Sequence, residues 1–86
     1  MPRYYVYIPK PVHKSIQKIP LPWRNRIVKA LVLLETEPLL GEKMRGDYHG
    51  YYRVKVWPYR IIYRPDHGRL IVVVVEIDQR GNISYD

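Results

Sequence analysis

Hydrophobic and polar positions recur at helical spacing in the first half of the chain and alternate like strands in the second half. The aromatic and β-branched run Tyr4–Ile8 predicts a first strand. Helical periodicity then predicts a short helix over Pro11–Lys18 and a second helix that opens at Pro22 and ends near Glu37, ahead of Pro38. The apolar stripe of the second helix is expected to pack on a sheet, and it consists of Trp23, Ile27, Ala30, Leu31 and Leu34.

The second half predicts three strands that follow one another closely. The glycine-rich segment 39–50 is expected to be a loop, and alternation over Tyr51–Arg64 predicts a hairpin with Trp57–Pro58 as its two-residue loop. Such loops prefer positive φ, so this sequence requires either a wider turn or a cis Pro58. Pro65–Gly68 is a turn signal, and the apolar run Leu70–Ile77 predicts a strand covered on both faces.

These elements give the order β-α-α-β-β-β and predict the α+β fold class. We expect a helical hairpin on one face of an antiparallel sheet, with the apolar last strand lying between strands three and one. Because two sequential helices carry the chain away and back, strand one is expected to run antiparallel to strand two. A chain of 86 residues predicts a single domain spanning 1–86.

Three cations should meet on the sheet face that is turned away from the helices. In the predicted hairpin register Lys55 lies opposite Arg60, and Arg53 lies opposite Ile62 on the same face. Like charges directly opposed across strands are destabilising, and the hairpin contains no acid. A solvated polar face is one explanation. An absent anion, such as a phosphate, explains the pattern better, and it is the interpretation we favour.

Composition agrees with a polyanion partner. The formal net charge is +7, and the segment from Lys43 to Arg64 contains six cations and a single acid, Asp47. Such a patch is typical of proteins that bind nucleic acid or an acidic protein, although it also promotes solubility.

Other functional classes are disfavoured by the composition. No apolar run is long enough to span a membrane, and no signal-peptide pattern is visible, so we expect a cytoplasmic protein with no membrane partner. The absence of cysteine excludes disulfides and thiolate metal sites, and the isolated His13, His49 and His67 give no reason to expect zinc or any other cofactor.

An ordered set of motifs narrows the interpretation. The set begins with Lys43-Met44-Arg45-Gly46 and continues with the strand motifs Tyr52–Lys55 and Tyr59–Tyr63. An apolar strand follows, then Arg80 just beyond its end and Tyr85 close to the C-terminus. Together these motifs resemble the RelE branch of the RelE/ParE toxin superfamily, and the resemblance extends over nearly the whole chain.

RelE-like toxins are mRNA interferases that cut mRNA in the ribosomal A site without metal and are held inactive by a cognate antitoxin. The resemblance therefore implies attack of a ribose 2′-OH on the adjacent phosphate, which leaves a 2′,3′-cyclic phosphate and a 5′-OH. It implies that Arg60 stabilises the transition-state phosphate and that Arg80 protonates the leaving 5′ oxygen. Lys55 and Tyr85 correspond to the pair on the 2′-OH side.

The resemblance assigns the remaining cations to the binding of backbone phosphates: Lys43, Arg45 and Arg53. The chain departs from the family pattern at Glu76 and Asp78, where small or neutral residues are more usual. In an extended strand these acids share the parity of Arg80, so one of them could neutralise Arg80, serve as a carboxylate base, or form a surface ion pair of little consequence. Trp57 either stacks on a base or packs in its loop.

Two other functions on the same fold stay open. One is a ParE-like inhibitor of DNA gyrase, although such chains generally lack the Lys/Arg/Tyr constellation. The other is a non-catalytic module that binds RNA or protein. The expected partners are mRNA, ribosomal RNA and an acidic antitoxin that docks through an amphipathic helix or strand, and DNA is expected only through the antitoxin.

Overall fold

The computed structural model describes residues 2–79, and these residues form two helices and one five-stranded sheet. The sheet order is β1-β5-β4-β3-β2. The elements, in chain order, are β1 (Tyr5–Tyr7), α1 (Lys10–Gln17), α2 (Leu21–Leu33), β2 (Glu42–Lys43), a 3₁₀ helix (Gly46–Tyr48), β3 (Tyr52–Val56), β4 (Tyr59–Asp66) and β5 (Ile71–Gln79).

Prolines define where both helices begin. Pro9 and Pro20 are the N-cap residues, and each is followed by a proline in the first turn, where the missing N–H costs nothing. The predicted α1 agrees closely with the observed helix. The second helix ends at Leu33, earlier than predicted, although a hydrogen bond of 2.9 Å from the Glu37 amide to the Leu33 carbonyl continues the turn.

The core lies between the two helices and one face of the sheet. Its buried members are Val12, Ile16, Ile19, Ile27, Leu31, Leu34, Tyr59, Ile61, Tyr63, Val72 and Val74. The predicted stripe of α2 therefore packs as expected at four positions, with Ile27, Leu31 and Leu34 buried and Ala30 partly buried against them. It is wrong at Trp23, which is 37% exposed, so the contact with the sheet is made by aliphatic side chains.

The sheet is mixed rather than wholly antiparallel. β3, β4 and β5 form the predicted antiparallel meander, but β1 pairs with β5 in parallel, so the predicted direction of strand one is wrong. The reason lies at the end of α2, where the Tyr4 amide donates to the Glu35 carbonyl over 2.7 Å. The helices thus return the chain to the beginning of β1 instead of its end, and β3 runs in the same direction as β1.

The apolar strand β5 is central, between β4 and β1, as predicted. It is not covered on both faces, because Val72 and Val74 are fully buried while Val75 is 40% exposed. The pairing of β4 with β5 shifts register between Ile62 and Tyr63, which leaves Val75 as the extra residue of a β-bulge.

The predicted loop 39–50 contains structure that the pattern did not reveal. Its Glu42–Lys43 segment pairs with β3 as a short edge strand. Gly46, the first residue of the 3₁₀ helix, and Gly50, which follows the helix, adopt positive φ values of 67° and 93°. The α+β fold class, with its helical hairpin on one sheet face, is confirmed. No helix among residues 2–79 is long and apolar enough to cross a membrane.

Candidate functional site

The hairpin of β3 and β4 adopts the predicted register. Lys55 pairs with Arg60, Arg53 with Ile62, and Val56 with Tyr59, and a cis Trp57–Pro58 peptide lies in the two-residue connection. Since Tyr59, Ile61 and Tyr63 face the helices, alternation places Arg53, Lys55 and Arg60 on the opposite face. We call this surface the open face.

Arg60 forms an ion pair with an acid from the neighbouring strand. Arg60 and Asp78 are in register, and the Arg60 Nη2 lies 3.4 Å from the Asp78 Oδ2. Their side chains are only 19% and 26% exposed, respectively. The Nε of Arg60 is buried and has no hydrogen-bond acceptor in the described part of the chain. The guanidinium is therefore held close to the sheet surface.

The β-bulge is what brings Asp78 to the open face. Upstream of it, Val72 and Val74 point into the core, and unbroken alternation would send Glu76 and Asp78 inward as well. The extra residue Val75 reverses the parity, so that Ile77 packs against the core and the two acids turn outward. The bulge thus prevents the burial of two carboxylates and positions one of them opposite Arg60.

Arg53 is also paired with an acid of the same molecule. The Glu42 of β2 is its cross-strand neighbour, and the Arg53 Nε donates to the Glu42 Oε1 over 3.2 Å. This pair is more open, with side-chain exposures of 35% and 62%. It belongs to the rim of the sheet, where ion pairs contribute little to stability.

The expectation of a cation cluster without acids is therefore wrong for two of its three members. Arg53 and Arg60 have internal carboxylate partners, whereas Lys55 is exposed and forms no ion pair within residues 2–79. The structure nevertheless confirms that the cations lie side by side. Lys55 and Arg60 remain directly opposed, with the acid beyond Arg60 in the same row.

The edge of the open face gathers the other predicted phosphate-binding residues. A surface pocket of about 320 Å³ is lined by Lys43, Met44, Arg45 and Arg53. Lys43 and Arg45 are both exposed. This arrangement can hold an anion as large as a phosphate between lysine and arginine donors.

A close backbone approach fixes the loop that carries this pocket. A Cβ at Gly41 would collide with the backbone carbonyl of Arg53, so only glycine allows the loop to lie against β3. The Gly41 amide also donates to the hydroxyl of the buried Tyr63 over 2.9 Å. Burial raises the pKa of Tyr63 above its ordinary value of 10.0, while the bond from Gly41 acts in the opposite direction.

Trp57 projects from the hairpin tip and is 69% exposed. The alternative that it packs in its loop is therefore wrong. Its indole is accessible at the end of the hairpin, where a planar group could stack on it.

Two predicted catalytic residues, Arg80 and Tyr85, lie outside the described residues, and their roles stay predictions. Sequence reasoning missed Glu42 as a partner of Arg53 and the pairing of Asp78 with Arg60. The sequence marks Asp78 as a polar residue near the end of an apolar strand. Which residue lies opposite Asp78, however, depends on the β-bulge. Within residues 2–79, no three His, Asp or Glu side chains approach closely enough to hold a metal ion.

Comparison of the sequence with known protein families identifies one match. A sequence model described as the ParE toxin of the type II toxin–antitoxin system, parDE, matches residues 6–83. No curated protein sequence matches the chain.

Solved structures show the same fold. The RelBE2 toxin–antitoxin complex of Mycobacterium tuberculosis matches with a TM-score of 0.81 and 28% identity, over 91% of this chain and 99% of that one. An archaeal RelE–RelB complex from Pyrococcus horikoshii matches with a TM-score of 0.76 and 26% identity, over 93% and 98%. The isolated RelE toxin of Escherichia coli has a TM-score of 0.80 at 21% identity, over 94% and 88%, which supports the fold alone. The chain belongs to the ParE toxin family within the RelE/ParE superfamily and is the toxin of a type II toxin–antitoxin module.

Proposed function

We propose that the protein is a ribosome-dependent endoribonuclease that cleaves mRNA in the cytoplasm and so inhibits translation. The observation that carries the proposal is the directly opposed Lys55–Arg60 pair on the open face, with the Arg60 guanidinium held by its neighbours. Similarity to the toxins of two RelE–RelB complexes supports it.

The proposed reaction is an internal transesterification that needs no metal. The 2′-oxygen forms a bond to the adjacent phosphorus, the bond to the 5′-oxygen breaks, and the products end in a 2′,3′-cyclic phosphate and a 5′-OH. The proton of the 2′-OH leaves to a base, and a proton is delivered to the 5′-oxygen. Arg60 stabilises the charge that develops on the phosphate, and Lys55 acts on the 2′-OH side. Tyr85 shares the side of Lys55, and Arg80 serves the leaving group.

Binding of the substrate is proposed to use the pocket at the edge of the sheet. In this proposal the three cations that line it bind the RNA backbone on one side of the cleaved phosphate: Lys43, Arg45 and Arg53. A phosphate could replace the carboxylate of Glu42 as the partner of Arg53, because the Glu42 side chain is 62% exposed.

A second candidate function is inhibition of DNA gyrase by contact with the enzyme, without RNA cleavage. The description of the matching family as ParE toxin favours it. The Lys55–Arg60 pair and the cationic pocket have no catalytic task in that function.

The proposed protein partner is a cognate antitoxin. Two of the similar structures are complexes of RelE with RelB, which supports this partner. An acidic antitoxin that covered Arg53, Lys55 and Arg60, or displaced the tail that carries Tyr85, would switch the activity off.

Primer extension on mRNA translated in a purified system separates the candidates. The nuclease produces cuts in phase with codons in wild type, and these cuts are lost in Arg60→Ala and in Arg80→Ala. Intact mRNA together with blocked gyrase supercoiling would overturn the proposal in favour of the second function. Intact mRNA with active gyrase would leave a non-catalytic binding module.

A further inference from the structure

Asp78 differs from the other acids that form ion pairs in this protein. Residues 2–79 contain four ion pairs, and the Arg60–Asp78 pair is the only one in which neither side chain is more than about a quarter exposed. In the other three pairs at least one side chain is 62% exposed or more. Solvent screens those pairs strongly, whereas the Arg60–Asp78 contact is partly sheltered from water.

The contact also explains how Arg60 is held. The Nε is buried without an acceptor among the described residues, so packing holds the stem of the side chain. At the Nη end, Asp78 is the one polar partner that residues 2–79 provide. A single contact of 3.4 Å uses one of the five N–H groups of a guanidinium. The Nη donors that Asp78 does not engage stay available to an anion, whereas the buried Nε does not.

We propose that Asp78 is a positioning residue for Arg60, which aims the guanidinium at the scissile phosphate. This inference rests on the proposed nuclease function. The β-bulge at Val75 supports the contact, because it turns Asp78 out of the core and into register with Arg60. Asp78 acts through Arg60 and touches no substrate atom itself.

The proposal predicts opposite effects on cleavage and on binding. Replacement of Asp78 removes a negative charge from the open face, so RNA binds more tightly, by roughly twofold to fivefold. At the same time the Arg60 guanidinium is no longer held in one orientation, so the maximal cleavage rate falls by roughly tenfold to a hundredfold. A residue with a merely structural role would weaken both or neither.

The test measures single-turnover cleavage of mRNA on programmed ribosomes by full-length wild type, Asp78→Asn and Asp78→Ala. The expected result is a lower maximal rate constant together with a lower half-saturating toxin concentration. Glu35→Gln is the matched control, because it also removes one carboxylate from an ion pair, on another part of the surface, and should change neither value. In an Arg60→Ala background, Asp78→Asn should have no further effect on the maximal rate.

A second measurement keeps the proposal testable if the protein does not cleave RNA. The ¹⁵N–¹H heteronuclear NOE of the Arg60 Nε should report an ordered group in wild type and a mobile one in Asp78→Ala. Unchanged order in the variant overturns the positioning contact, whatever the activity. Lost order with an unchanged cleavage rate, or a further loss of rate in the Arg60→Ala background, overturns its functional role. Absence of cleavage by wild type instead refutes the nuclease function and leaves the contact to be judged by the NOE.

Discussion

The two basic surfaces of this protein are built in opposite ways. The helical hairpin carries six cations and no acid between Lys10 and Leu34, and none of these cations forms an ion pair with a described residue. On the open face, by contrast, Arg53 and Arg60 each contact an internal carboxylate. The helical hairpin therefore presents cations that have no internal carboxylate partner among the described residues, while the sheet holds two arginines in ion pairs.

This contrast shows that the number of cations on a surface does not indicate whether their side chains are held in place. Lys10, Lys14 and Lys18 are exposed and spaced four residues apart, opposite the buried Val12 and Ile16 of α1. Side chains of this kind attract a polyanion over a distance and release counterions, without fixing any atom in place. The partly buried, paired arginine of the sheet is suited to the stabilisation of one particular phosphate.

The largest effect should come from the centre of the open face. Arg60→Ala should lower the cleavage rate by roughly 10²- to 10³-fold, because a preorganised donor to the developing charge is lost. Arg69→Ala removes an arginine that is 80% exposed on the β4–β5 turn and serves as the control, with no change expected. Single-turnover kinetics on programmed ribosomes measure both. Equal rates for wild type and Arg60→Ala would remove Arg60 from the mechanism.

A smaller and different effect is expected from the helices. The combined change Lys10→Gln, Lys14→Gln and Lys18→Gln should raise the half-saturating toxin concentration by roughly tenfold at low salt and leave the maximal rate unchanged. The slope of log affinity against log salt should become shallower by up to about 3. Gln17→Ala, uncharged and on the same helix, is the control. A fall in the maximal rate would contradict the proposed division between attraction and chemistry.

The loop that carries Lys43 and Arg45 depends on Tyr63. Tyr63→Phe leaves the Gly41 amide without its acceptor and should lower the free energy of unfolding by about 1–2 kcal/mol at neutral pH. Because the native pKa of Tyr63 is raised, its contribution to stability is complete below the unfolded value of 10.0 and is lost as pH rises through the native value. In urea unfolding, the difference in the free energy of unfolding between wild type and Tyr63→Phe should therefore be smaller at strongly alkaline pH than at neutral pH. A difference that stays constant would mean that the phenol has the same pKa in the folded and unfolded states.

The smallest effect concerns the stability cost of the opposed cations. Lys55→Met keeps most of the aliphatic stem and removes the charge opposite Arg60, so the free energy of unfolding should rise by about 0.2–1 kcal/mol. Lys29→Met makes the same change on the helical hairpin, where no opposed cation exists across a strand, and should bring no comparable gain. Thermal unfolding of both variants at low salt provides the measurement. A loss of stability in Lys55→Met would show that the two cations do not repel each other in the fold.

The sequence predicts some of these features well, for physical reasons. Alternation and a two-residue connection fix the hairpin register, so the pairing of Lys55 with Arg60 could be derived before the structure. The central position of β5 followed from its apolar run.

Other features depend on contacts that no local pattern encodes. Residues 72–75 are four valines in a row, so nothing in their identity marks Val75 as the extra residue, and the partner of Asp78 stayed hidden. The parallel direction of β1 follows from where α2 ends, through the bond between Tyr4 and Glu35. The short β2 strand, which supplies Glu42 to Arg53, is too brief to show any periodicity.

Replacement of a single 2′-OH tests the central claim most directly. An mRNA with one 2′-deoxynucleotide immediately 5′ of the mapped cut is placed on the ribosome beside its all-ribose counterpart. The proposed chemistry predicts that the ribose mRNA yields a 2′,3′-cyclic phosphate and a 5′-OH, and that the deoxy-substituted position resists cleavage. Equal cleavage of the two messages at that position would contradict the account.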